Sequence, residues 1–199
     1  RSAQLWSFAG MFVGFGVKVP MFPFHTWLPD AHTQAPTVGS VILAAVLLKL
    51  GTYGFIRIAI PMLPEAAAAW APFIGLLAVI GIIYGALGCL AQRDMKRLIA
   101  FSSVAHMGFV MLGIATLTDF GINAAIFGMV AHGLITAMLF FLDGSMKDRY
   151  HTLDMNRLGG LLVSAPRLGW ILGFCAMASL GLPGLAGFWG EFPAILASY

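Results

Sequence analysis

An all-α transmembrane helical bundle is the fold class this sequence predicts, and three observations predict it. The 199 residues are 60% hydrophobic and 10% charged, with a mean hydropathy of +0.91, whereas soluble domains carry about 25% charged residues. The apolar residues fall in runs close to the roughly 20 needed to cross a bilayer. The 24 glycines suit helices that approach closely in lipid, where small residues let backbones meet. Over 1–199 the sequence reads as a single membrane domain, with helices near 2–18, 38–60, 71–91, 96–117, 121–142, 166–182 and 187–199. It opens at Arg1, without a Met or a signal-peptide pattern, and stops at Tyr199 inside an apolar run, so a piece of a longer protein is expected.

The run 2–18 closes on Lys18, and Pro20, Pro23, Pro29 and Pro36 follow it. A proline cannot donate to the carbonyl four residues before it. Pro20 and Pro23 are therefore expected to free the carbonyls of Gly16 and Val19, on either side of Lys18. Broken backbone at membrane depth persists only where protein or a wet cavity satisfies it. The piece PFHTWLPDAH is amphipathic, and its Trp27 suits the interface. His25 and His32 lie in or near the inward-facing turn and are expected to be interfacial rather than catalytic.

Helix 38–60 carries Lys49 near its centre and Tyr53 four residues on, on one face. Arg57 falls near the outer end, where it can snorkel. The segment 61–70, PMLPEAAAAW, is expected as an outward loop before helix 71–91. Loop 92–97, QRDMKR, is basic, as is 143–167 with Lys147, Arg149, Arg157 and Arg167. Both should face the positive-inside compartment. Helix 96–117 carries His106 with Ser102 and Ser103 one turn before, and helix 121–142 carries His132 with Thr136 one turn after. Asp143 is expected as a solvated partner of Lys147. Cys89 and Cys175 lie in apolar runs and read as inert thiols.

Helix 166–182 breaks at Gly-Leu-Pro, and the half-helix 187–199 carries Glu191. The stretch 18–29 and the stretch 181–193 both read as an apolar helix broken by Pro, then a Phe–Trp element and a second Pro, with an ionisable residue close by. Matched broken helices are a transporter signature.

Function is expected to lie in the ionisable residues placed at depth: Lys18, Lys49, His106, His132 and Glu191. A charge in hydrocarbon costs several kcal/mol unless hydrated or paired. Loss of water disfavours the charged form of any such group, so Lys, Glu and His converge in proton affinity and can hand a proton along. The plainer alternative is that they hold helices together by hydrogen bonds. There is no CxxC, no metal-ligand spacing, no phosphate loop and no GxGxxG, so no cofactor or metal is expected in this chain and no nucleic acid as a partner.

The motifs together carry a resemblance. KVPMFPFHTWLPDAHTQAPTVGSVILAAVLLKLGTYG, FSSVAHMGFVMLG at 101–113, MVAHG at 129–133 with LFFLDG after it, and PGLAGFWGEF at 183–192 resemble, in the same order, the antiporter-like proton-pumping subunits of respiratory complex I, the NADH–quinone oxidoreductase. The DAHTQAPTVGS run favours the subunit M (chain 4) branch. The resemblance covers essentially the whole chain. It implies part of a fourteen-helix fold with inverted repeats and two broken helices. It implies that Lys18 is the lysine at the first break, Lys49 the central connecting lysine, His106 and His132 the connecting histidines, and Glu191 the glutamate at the second break. The carboxylate partner of Lys18 would lie upstream. Asp143 and Gly128 depart from the family pattern, the first commonly apolar and the second commonly near a polar side chain.

The resemblance further implies a subunit of a proton-translocating enzyme with no redox centre of its own. NADH, FMN, iron–sulfur clusters and quinone would belong to partner subunits. Partners would be other membrane-arm subunits, above all neighbouring antiporter-like ones, with lipid around them. The membrane would be a bacterial plasma membrane, or else a mitochondrial inner membrane or thylakoid. Two other readings remain: a subunit of a multisubunit sodium/proton antiporter or of a membrane-bound hydrogenase, and a structural piece whose charges only hold helices together.

Overall fold

The computed structural model describes residues 2–199. Helix α1 runs over Ser2–Lys18 and α2 over Trp27–Gln34. Four helices are long and apolar enough to cross a membrane: α3 Thr37–Met62, α4 Pro64–Leu90, α5 Met95–Ala115 and α6 Asp119–Tyr150. A short turn α7, Leu161–Ser164, precedes α8 Pro166–Ser179 and α9 Ala186–Ser198. The chain is an integral membrane protein, and among the described residues its regular elements are all helices, interrupted at both ends: α1–α2 and α8–α9.

The two basic connections lie together. Met95 N–H donates to the Leu153 carbonyl at 3.0 Å and Met155 N–H to that of Arg93 at 2.9 Å. The strand-like pairing of the α4–α5 turn with the segment after α6 puts both on one end of the bundle, as the positive-inside pattern requires. The short α2 is tied to that same end, for Lys96 Nζ donates to the Ala35 carbonyl at 2.7 Å and Arg97 pairs with Asp30 at 2.7 Å.

The first break differs from expectation in one respect. The Gly16 carbonyl is not free, because Met21 N–H reaches it at 3.0 Å. The Trp27 indole N–H donates to the Val17 carbonyl at 3.0 Å. Protein groups thus satisfy the Gly16 and Val17 carbonyls at the interrupted end of α1, as a break inside lipid demands.

Two boundaries also differ. The expected loop 61–70 shrinks to Leu63, because Pro64 occupies the first turn of α4, where its missing N–H costs nothing, and Ala66–Ala69 favour helix. Helix α6 runs on to Tyr150 and closes on left-handed His151, eight residues past the expected end. Its apolar face continues beneath the charged surface, burying Leu142 and Met146.

Lipid tails are as apolar as leucine, so these helices hold by close packing and polar contacts. Phe8, Phe12, Phe55 and Trp70 form one aromatic cluster that fastens α1 to α3 and α4. Gly51 and Gly54 of α3 face Val19 and the Phe15 ring of α1 with no room for a side chain.

Candidate proton-transfer line in the bundle

Helix α3 contains two π segments, Leu43–Leu47 and Phe55–Ala59, and Lys49 lies between them. Such segments occur often at functional sites because they redirect side chains and loosen carbonyls. Lys49 Nζ turns back to the Ala44 carbonyl at 2.6 Å and also reaches His132 Nδ1 on α6 at 2.6 Å. Its stem crosses Gly133, where a Cβ would stand 3.1 Å from the Ala45 carbonyl oxygen and 3.5 Å from Lys49 Cε. The small residue next to His132 opens the way from one helix to the other.

His132 is buried at 6% exposure. Its ring centre is 5.6 Å from that of His106 on α5. His106 Nδ1 meets Glu191 Oε1 of α9 at 2.6 Å, and its Nε2 meets the Ser179 hydroxyl of α8 at 3.0 Å. One assignment satisfies the contacts of Lys49, Ser179 and Glu191. Lys49 donates to Nδ1 of His132, whose Nε2–H is left facing inward without a partner. His106 donates from Nδ1 to the Glu191 carboxylate and accepts at Nε2 from Ser179. Between the two imidazoles lies a narrow cavity lined by His106, Gly128, His132, Thr136, Ser179 and Glu191, with room for about one water molecule.

Close backbone contact delivers Glu191. Helices α6 and α9 cross at Gly128 and Gly190, where a Cβ on Gly190 would stand 2.5 Å from Gly128 Cα. Gly128, a departure from the expected pattern, is the position that admits α9. Gly181 and Gly184 take positive φ values of 68° and 96° in the connection before α9, a conformation open to glycine without strain.

Of the sequence-predicted residues, Lys49, His132, His106 and Glu191 therefore form one line across four elements. Lys18 does not join it. It is half-buried at the end of α1 and makes no hydrogen bond or ion pair among the described residues, although its neighbour Val19 packs on Gly51, two residues from Lys49. The predicted polar stripes are closed onto the backbone, since Ser102 and Ser103 donate to the Ile99 carbonyl and Thr136 to that of His132. Sequence reasoning missed Ser179. Its only signal was a hydroxyl at the last residue before the second break.

One expectation about the other polar groups is overturned, that for Asp143. His25 and His32 are buried at 3% and 0% exposure. Their rings are packed as aromatic plates, His25 edge-on to Tyr84 at 4.7 Å and His32 stacked on Phe140 at 4.5 Å. Asp143 is 2% exposed and unpaired with Lys147, because the extended α6 turns it into the bundle. Among the described residues no group of His, Cys, Asp and Glu is arranged to hold a metal ion.

Comparison with known proteins finds a transmembrane family described as NADH:quinone oxidoreductase/Mrp antiporter that matches residues 1–199. The chain is 49% identical over 189 residues to the NADH-quinone oxidoreductase subunit M of Rickettsia bellii (strain RML369-C), covering 95% of this chain and 38% of that protein. It thus spans well under half the length of that curated relative. Among solved structures it superposes on a chain of respiratory complex I from Thermus thermophilus with bound NADH, with a TM-score of 0.95, 36% identity, and 100% of this chain and 43% of that one covered. It also superposes on a chain of the Mrp complex from Dietzia sp. DQ12-45-1b, with a TM-score of 0.93 at 23% identity, covering 100% of this chain and 37% of that one.

Proposed function

This chain belongs to the NADH:quinone oxidoreductase/Mrp antiporter transmembrane family, and we propose that it carries protons through the membrane arm of an NADH–quinone oxidoreductase. The observation that carries this reading is the line Lys49–His132–His106–Glu191, closed by 2.6 Å contacts at both ends. Each member can hold or release a proton, and each is held by protein rather than lipid. A structural role alone would need pairs, not a run of four proton carriers drawn from α3, α6, α5 and α9.

The line works as follows. A protonated Lys49 donates to His132 Nδ1. When that proton crosses, the ring releases the one on Nε2 toward the cavity shared with His106. His106 takes it at Nε2, which exchanges the Ser179 hydrogen bond for a donor role, and gives the Nδ1 proton to Glu191. The two imidazoles move protons through the ring by using one nitrogen to accept and the other to release. Lys18 would load Lys49 from the first break, its charge governed by a carboxylate on an upstream helix. Oxidation of NADH and reduction of quinone in partner subunits, which would hold the FMN and iron–sulfur clusters, would change that pairing and drive the cycle. The partners would be other membrane-arm subunits, chiefly neighbouring antiporter-like ones, in a bacterial plasma membrane.

The Mrp likeness supports a second reading, a cation/proton antiporter subunit without electron transfer. The two share a fold, and it is the 49% identity to a subunit M that favours the first. One experiment separates them. In the assembled complex in proteoliposomes, Lys18→Ala and Glu191→Ala should leave NADH-supported electron flow while abolishing proton translocation. Normal translocation in both assembled variants removes these residues from the path. Transport that persists without NADH or quinone favours the antiporter.

A further inference from the structure

A cavity of about 480 Å³ opens at the basic end of the bundle, where the end of α6 meets α7 and the start of α8. Leu142, Ser145 and Arg149 line it from α6, and Arg167 and Ile171 line it from α8. Among the described residues no carboxylate lines it. The sequence orders these groups by polarity. Leu142, Ser145 and Arg149 are spaced three and four apart, so they share one face of α6. That face turns from apolar to hydroxyl to cationic toward the helix end. On α8, Arg167 lies in the first turn, and Ile171 follows one turn deeper on the same face. Both walls thus carry charge at the membrane surface and hydrocarbon toward its core.

Length sets the depth. Helix α6 has 32 residues and is about 48 Å long, against a hydrocarbon core of about 30 Å. Centred on that core, about six residues at each end lie beyond it, which puts Ser145 and Arg149 at headgroup level. Trp170, exposed on the first turns of α8, is a side chain that favours that level. The two guanidiniums are also uncommitted. Arg97 pairs with Asp30 and Arg157 with Asp154, whereas Arg149 and Arg167 make no hydrogen bond or ion pair among the described residues. Beside them the Tyr150 and Ser164 hydroxyls bond at 2.9 Å, which holds the end of α6 to the segment leading into α8.

We propose that this cavity binds the headgroup of an anionic phospholipid, with its phosphate between Arg149 and Arg167 and its acyl chains along Leu142 and Ile171. The planar fork of an arginine matches a pair of phosphate oxygens, and a basic pocket between helices at this end suits an anionic head. The first turn of α8 adds the positive end of its dipole. The Ser145 hydroxyl donates to the Phe141 carbonyl at 2.9 Å, which leaves its oxygen free to accept from a headgroup hydroxyl. A soluble phosphate would engage the arginines and leave the apolar part of the walls bare, whereas a phospholipid fills both. The bound lipid ties the start of α8, the first half of the second broken helix, to the end of α6. This site needs only the membrane placement of the helices and stands apart from the proton-transfer reading.

The test uses the intact membrane complex containing the full-length chain, stripped of lipid in detergent. It is titrated with dioleoylphosphatidylglycerol or dioleoylphosphatidylcholine, and bound lipid is counted by native mass spectrometry for wild type, R149Q/R167Q and R157Q. Phosphatidylglycerol should bind the double variant severalfold more weakly than wild type, and R157Q, which lies outside the cavity, should match wild type. Phosphatidylcholine should bind wild type and the double variant alike, and inorganic phosphate at the same concentration should not displace phosphatidylglycerol. Equal phosphatidylglycerol binding in wild type and R149Q/R167Q overturns the site. Displacement by inorganic phosphate overturns the lipid as its ligand. Should the double variant fail to assemble, a photoactivatable phosphatidylglycerol is crosslinked to wild type. Label on residues 142–149 or 167–171 that excess phosphatidylglycerol removes supports the site. Label confined to other segments, the result if a neighbouring subunit covers the cavity, overturns it.

Discussion

Lys49 Nζ lies 2.6 Å from His132 Nδ1, although 83 residues separate them in the chain. The contact exists because the π segments of α3 redirect Lys49 and because Gly133 leaves space for its stem. It joins a basic side chain to a ring whose centre lies 5.6 Å from that of the other histidine. Replacing His132 with Gln keeps an acceptor for Lys49 but removes the ability to pass a proton. H132Q should assemble normally and lower proton translocation about tenfold or more, measured as lumen acidification in proteoliposomes.

Lys49→Arg separates a fixed charge from a proton carrier. A guanidinium keeps the positive charge but does not release its proton in proteins. If Lys49 carries protons, K49R should pump no better than K49A. Near-wild-type pumping in K49R would show that only the charge matters.

Gly190→Ala should force α9 away from α6, because the added Cβ meets Gly128 Cα and nitrogen at 2.5 and 3.1 Å. Backbone on both sides cannot yield as a side chain would, so a cost of about 1–3 kcal/mol is expected. The check is a lower Tm of the solubilised complex, accompanied by weaker pumping as Glu191 draws away from His106. Gly173→Ala, which meets nothing within 4 Å, should change neither.

Trp27→Phe removes the indole donor from the Val17 carbonyl while keeping an aromatic ring. That should cost about 1 kcal/mol, read as a modest fall in Tm.

The ion pair Arg97–Asp30 should contribute little by comparison. Its side chains are 45% and 72% exposed, and exposed pairs are worth about 1 kcal/mol or less. Arg97→Ala should leave Tm nearly unchanged, and a large fall would mean that α2 is anchored chiefly by this pair.

Both breaks and all four long spans are legible in the sequence, because apolar length and proline interruption are local signals. The ionisable residues are legible for the same reason: each stands alone in an apolar run. What escapes is whatever depends on neighbours in space. The burial of Asp143 was hidden because Lys147, Asp148 and Arg149 follow it and resemble the start of a loop, yet the apolar stripe of α6 continues through Leu142 and Met146. The burial of His25 and His32 was hidden because histidine reads as polar, whereas here each ring packs as an aromatic plate against Tyr84 and Phe140. The start of α4 was hidden because Pro61, Pro64 and Glu65 look like a loop, although a proline in the first turn opens a helix. The separation of Lys18 from the line could not be read either, since it is set by where α1 ends relative to α3.

The meeting of Gly128 and Gly190 has a mechanical effect. With no side chains between them, the two backbones touch like a lever resting on its fulcrum. Glu191 is the next residue from that fulcrum, whereas Ser198 is about 12 Å along the rod. Tilting α9 by about 5° would carry Ser198 through about 1 Å while scarcely displacing the carboxylate. A push on α9 away from the crossing would therefore leave Glu191 on His106.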